Sequence, residues 1–195
     1  MAQLPISREK ALEILKSYNP EEFDMVHYLE SEAVMREVAK LLGEDEDYFG
    51  MLGLLHDIDW TMTKSDVSTH LTKAPEILKR LGFEDDFIET ILSHGYGFEE
   101  LPHLKDKERT KKVEYALASS ETITGLVYAY ALMRGKKVSD MEAKGLKKKF
   151  KDKAFAAGCR RDVISEIEKT GLTLDQLFEA AIRGVTGIKE EIDLS

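Results

Sequence analysis

Four of the chain's five histidines, His27, His56, His70 and His94, fall in its first half, each on an apolar helical stripe or at a helix end. Imidazole nitrogens and carboxylate oxygens are the donors a borderline divalent cation requires, and ligands on different helices converge inside helical bundles. His56 and Asp57 are adjacent at the end of an apolar run (Tyr48, Met51, Leu52, Leu54, Leu55), so both side chains can reach one ion. His27 lies 29 residues before His56 on an inward helix face, and Glu121 follows Asp57 by 64 residues on an apolar stripe. An unpaired buried carboxylate costs several kcal/mol, so a cation is expected near Glu121, and its stripe offers only small or apolar neighbours. Any one of these histidines alone is more often a satisfied core or surface residue. The order His, His-Asp, acid is what points to a metal. Cys159 is the single cysteine, which excludes an intramolecular disulfide or a cysteine-rich zinc site and leaves nitrogen and oxygen ligands. His103, in the loop Glu100–Leu104, reads as a surface residue.

A divalent ion lowers the pKa of bound water to about 7 and neutralises charge on phosphoryl oxygens, so hydrolysis of a phosphomonoester or phosphodiester is the expected reaction. Asp57, Asp59 and Lys64 are the expected catalytic groups, Lys64 as the cation or proton source for the leaving group. In the run Lys147–Lys153, Lys148, Lys149 and Lys151 are candidates for distal phosphates, with Arg160 and Arg161 nearby. Trp60 and Tyr96 are candidates to stack on a ring, or equally to wall a pocket.

Those residues need helices to position them, and the caps predict them. A first helix follows Ser7 and ends near Tyr18, before Asn19-Pro20. A second covers about 22–42, with Phe23, Val34, Val38 and Leu41 on its inward stripe and Gly43 as its stop. A third covers about 45–57. Pro75 opens a short helix ending at Gly82, and another covers about 85–94. A long helix over about 110–133 carries Leu117, Glu121, Gly125, Tyr128 and Leu132 on one stripe. Helices at about 139–150 and 160–170 follow, and Thr173 and Gln176 form a capping box for the last. No strand alternation, repeat or linker appears, so the expected fold is an all-α bundle in a single domain, with a core over about 22–133 and a helical C-terminal extension over about 134–195 that reads as packing.

The chain has 195 residues, 43% hydrophobic and 33% charged, the composition of an ordinary globular domain able to bury its own core. No apolar run approaches the ~20 residues that span a bilayer, and the N-terminus lacks the order of a signal peptide, so a cytoplasmic address is expected and no membrane partner. A net charge of −9 argues against nucleic acid as a partner, although residues 134–161 hold eleven basic residues against three acids.

The order His27, His56-Asp57, distal acid, in a helical context, resembles the HD superfamily of metal-dependent phosphohydrolases over about residues 22–133. The resemblance implies a ligand role for His27, His56 and Asp57, and for a distal acid that Glu121 fits best, four residues before Gly125. Segments 73–78 and 91–97 are similar to the region that supplies two more histidines in bimetallic members such as HD-GYP phosphodiesterases and dinucleoside-tetraphosphate hydrolases. By that similarity His70 and His94 become ligands of a second ion. Two positions depart from the family. Asp59 replaces the glycine common after His-Asp-Ile, placing a carboxylate where it can orient a ligand or water. Glu121 replaces the family's Asp. The implied cofactor is one or two divalent ions, with iron, manganese, nickel, cobalt, magnesium and zinc all compatible. The implied partner is a small phosphorylated metabolite, with nucleotides favoured by analogy. Two other functions stay open: a di-iron oxygenase, and a non-catalytic metal- or nucleotide-binding signalling module.

Overall fold

The computed structural model describes residues 4–195 and is helical throughout, with no strand among the described residues. The element order is α1 (Arg8–Ser17), α2 (Glu22–Leu42), α3 (Glu46–Leu55), α4 (Trp60–Thr63), α5 (Ala74–Arg80), α6 (Asp85–Ser93), α7 (Lys112–Met133), α8 (Ala143–Lys151), α9 (Arg161–Ser165) and α10 (Leu174–Gly187). Most boundaries follow local chemistry. Ser7 accepts from the Lys10 amide and Asp45 from those of Asp47 and Tyr48, while Gly43 ends α2 in the left-handed region at φ 71°. Pro75 sits in the first turn of α5, and Thr173 and Gln176 cap α10 reciprocally.

Five details differ from the sequence expectation. The third helix stops at Leu55, so His56-Asp57 lies in the turn beyond it. The basic helix begins at Ala143, and the segment after Arg160 is a five-residue α-helix continued as a 3-10 turn over Glu166–Thr170. Phe23 and Leu41, near the two ends of α2, are exposed, whereas Val34 and Val38 between them are buried. The C-terminal helices belong to the main core: Leu146, Ile164, Ile167, Phe178 and Val185 are buried in one cluster with Val34, Leu52 and Leu126.

α2 and α7 run antiparallel through the centre, as Phe23 meets Tyr128 and His27 meets Thr124. α3 and α10 approach α2 closely, each through a glycine. A Cβ on Gly53 would lie 2.4 Å from the Ser31 carbonyl oxygen, and one on Gly184 would lie 2.8 Å from that of Ala33. Backbone cannot yield as a side chain can, so Gly53→Ala is expected to cost about 1–3 kcal/mol in a urea melt. It should also lower metal affinity, because the Gly53 carbonyl holds His56. No helix among the described residues is long and apolar enough to cross a membrane.

Candidate metal centre

His56 caps the end of α3, and its Nδ1 donates to the Gly53 carbonyl at 2.8 Å. A carbonyl only accepts, so the proton sits on Nδ1 and the Nε2 lone pair is free. His94, at the end of α6, repeats the arrangement, donating from Nδ1 to the Ile91 carbonyl at 2.7 Å. His27 on α2 reaches the same state by another route. The Thr124 hydroxyl gives its proton to the Glu121 carbonyl, which leaves its oxygen to accept from His27 Nδ1 at 3.0 Å. Three imidazoles thus present unprotonated Nε2 atoms.

These atoms gather around Asp57. Its Oδ2 faces His27 Nε2 at 3.8 Å and His56 Nε2 at 3.5 Å. Its Oδ1 faces His70 Nε2 at 3.1 Å and His94 Nε2 at 3.4 Å. Two groups able to hold a metal ion therefore exist, His27–His56–Asp57 and Asp57–His70–His94, and they share the carboxylate. Between His27 and His56 the Nε2 atoms approach to 3.0 Å, and two lone pairs that close repel unless a cation or a proton lies between them.

The electrostatics suit a cation. Burial lowers His56 to about 3, holding it neutral at physiological pH. Burial alone would raise the Asp57 carboxyl, but the protonated His70 donating to it from Nε2 outweighs that and holds it well below the usual carboxylate range. His70 is the exception. Burial lowers it, yet its bonds to Asp57 and Asp59 prevail and push it up to about 10, so a cation held on that side would have to displace a proton from His70.

Asp59 is fully buried and takes no part in either group. Its Oδ1 accepts from His70 Nδ1 at 3.1 Å and the Leu71 amide at 3.2 Å, and its Oδ2 accepts from the Lys73 and Ala74 amides at 2.9 and 3.1 Å. One carboxylate thus fixes both the His70 ring and the loop entering α5. Asp59→Asn keeps the shape but cannot accept at both ends, and is expected to weaken the His70–His94 side by about 10–100-fold in metal affinity. Metal titration of the variant checks this, with little change expected at His27–His56.

Glu121 is set over the centre on α7 without joining either group. Its carboxylate accepts from the Thr122 hydroxyl, and burial raises its pKa. Lys64 does not line the centre's cavities. Its ammonium is held by Glu21 at 2.6 Å and Asp24 at 3.1 Å. Tyr96 is buried, with its hydroxyl donating to Glu89, and it offers no stacking face. Trp60 does line the site, edge-on to His70 at 5.2 Å. The lysines of α8 lie elsewhere. α8 buries Leu146 and packs Phe150 on Phe178, Lys147 pairs with Asp175, and Lys149 sits over the Phe155 ring. Neither Lys148, Lys149 nor Lys151 lines a cavity at the centre.

Two arginines do more than the sequence reading gave them: Arg109 was absent from it, and Arg161 stood there only as a neighbour of the basic run. Arg109, in the loop before α7, donates to the carbonyls of Ser93, His94 and Tyr96 at 2.8, 3.3 and 3.1 Å and pairs with Glu166 at 2.6 Å. It therefore ties the His94 turn to the C-terminal third. Arg161 donates to the carbonyls of Phe150, Asp152, Phe155, Ala156 and Cys159, which folds the segment between α8 and α9 into a fixed wall. Gly158, Cys159 and Arg160 of that wall line the cavities above the centre. The C-terminal third is thus part of the site as well as packing. Compared with protein-family models, with curated proteins and with solved structures, the chain matches none.

Proposed function

We propose that this protein is a metal-dependent phosphohydrolase in which His27, His56 and Asp57, and Asp57, His70 and His94, would hold divalent ions. The observation that carries the reading is that the two oxygens of Asp57 face two separate histidine pairs, His27–His56 and His70–His94. Divalent ions held there would supply a nucleophile at neutral pH and positive charge for a phosphoryl group. The chain's own residues supply the rest. The Gly53, Ile91 and Thr124 oxygens fix the imidazole tautomers, and Asp59 fixes His70. Glu121 lines both cavities beside Asp57, and burial raises its pKa above the ordinary carboxylate value. Trp60 and Phe23 shield the approach with apolar surface.

The test is elemental analysis of protein purified without chelator, together with phosphate release from a panel of nucleotides and phosphoesters after loading with Mn²⁺, Fe²⁺, Ni²⁺, Co²⁺, Zn²⁺ or Mg²⁺. Two ions per chain and metal-dependent release are expected. Folded, metal-loaded protein without turnover on any phosphoester would overturn the hydrolase reading and favour a binding module. That module is the second reading, and the turn of the Glu121 carboxylate onto Thr122, outside both ligand groups, favours it.

A further inference from the structure

Two cavities open above the metal centre, and they differ in chemistry. One, of about 420 Å³, lies over His27 and is lined by Phe23, Tyr28 and Gly125, with no lysine or arginine. The other, of about 350 Å³, lies over His70 and His94 and is lined by Val67, Phe98 and Leu101, with Arg160 as the one lysine or arginine of its lining. They share Asp57, Trp60, Glu121, Thr122 and Gly158, so they form two lobes of a single groove that meet at the carboxylate between the two ligand groups.

Arg160 is placed to be used. Its guanidinium lies 4.5 Å from the centroid of the Phe98 ring, which supports it from below. Its partner Asp162, at 2.6 Å, is two residues away and well exposed, and such surface pairs contribute little, so an incoming anion can take its place. Glu100 in the same lining is acidic and opposes an anion there, so the attraction must come from the guanidinium itself. Arg161 next door is spent on carbonyls, which keeps Arg160 at a fixed place on the wall. Phosphates and carboxylates are what an arginine fork recognises.

Building on the hydrolase reading, we propose that Arg160 is the specificity residue for a second anionic group on the substrate. The phosphoryl group at the centre carries an uncharged, ring-bearing portion toward Phe23 and Tyr28, and a further anion toward Arg160. The substrate class is therefore an organic phosphate with a second negative group on the far side of the reacting phosphorus. Neither lobe alone reads both halves.

The experiment titrates the manganese-loaded full chain, wild type and Arg160→Gln, with adenosine 5′-monophosphate and adenosine 5′-diphosphate by calorimetry, with Mn²⁺ held in excess. Turnover of each nucleotide is measured in parallel. Wild type is expected to bind the diphosphate about tenfold more tightly than the monophosphate at low salt, the scale of a hydrogen bond to a charged group. Arg160→Gln should bring that ratio close to one, with a melting temperature like wild type because the side chain is exposed. A ratio that survives the substitution, or no preference in wild type, overturns the assignment. The two proposals fail separately. Discriminating binding without turnover removes the hydrolase and keeps Arg160, whereas turnover with an unchanged ratio removes Arg160 and keeps the hydrolase.

Discussion

Asp57→Asn is expected to empty both halves of the metal centre at once. Asparagine has the same shape but offers one neutral oxygen and an NH₂ that donates, so one of the two histidine pairs would face a donor where it now faces an acceptor. The remaining oxygen carries no charge for the other pair. Any metal that elemental analysis finds in the wild type should fall toward none, and any phosphohydrolase activity should drop about 10³-fold, the equivalent of several kcal/mol of lost charge stabilisation. The fold should persist, because the substitution is isosteric and the surrounding helices are held by the apolar core. The variant should also change its titration. His70 owes its raised pKa, about 10, to Asp57 together with Asp59, so losing Asp57 should bring it down. Stabilisation from a raised histidine is present below its unfolded pKa, near 6.5, and is lost as pH rises toward the folded value. Metal-free wild type should therefore lose stability between about pH 6.5 and 10 by more than metal-free Asp57→Asn does. Loss of a single ion, or an unchanged pH profile, would show that Asp57 does not bridge the two groups.

Arg109→Leu should be the most destabilising change outside the ligands. The arginine side chain is only 6% exposed, and its removal strands the Ser93, His94 and Tyr96 carbonyls together with the Glu166 carboxylate, which is 23% exposed. Breaking a buried ion pair from one side costs about 3–5 kcal/mol; with Glu166 reaching solvent the lower end applies, or roughly 10 °C in melting temperature for a chain of this size. Metal binding should fail unevenly. The His70–His94 side weakens with the His94 turn, while His27 and His56, held by Thr124 and Gly53, keep their geometry. A double variant with Glu166→Leu should recover part of the stability without restoring the His94 side, which separates the ion pair from the carbonyl contacts. Equal weakening of both sides would mean that Arg109 acts on global stability alone.

The residues that were legible in the sequence are those whose roles depend on near neighbours. Ser7, Gly43, Pro75 and Thr173 mark helix ends because caps are satisfied within three or four residues, and those positions stand in the structure as expected. His56 and His94 lie at helix ends where their Nδ1 protons find carbonyls three residues back, again a local relation. The lysines of α8 misled for the converse reason. A cluster of charge in sequence says nothing about which way a helix faces, and Leu146 and Phe150 turn that face away from the centre. Arg109 gave no signal at all, lying in a charged loop between Glu108 and Thr110 while its partner Glu166 is 57 residues away.

Helix formation, the all-α class and the nitrogen and oxygen character of the ligands were set by residue type and short-range spacing. The sharing of Asp57 between two histidine pairs was set by packing, because His27 reaches its supporting Thr124 across 97 residues and His70 reaches Asp59 only when the loop before α5 folds back. Which arginine faces the groove was decided by how the segment around the pair folds. Arg160 and Arg161 are neighbours of the same type, and the fold of the segment after α8 leaves five carbonyls for one and a cavity for the other. Local sequence sets the conformation of each helix, whereas the partner of a buried polar group depends on where distant segments are brought to satisfy it.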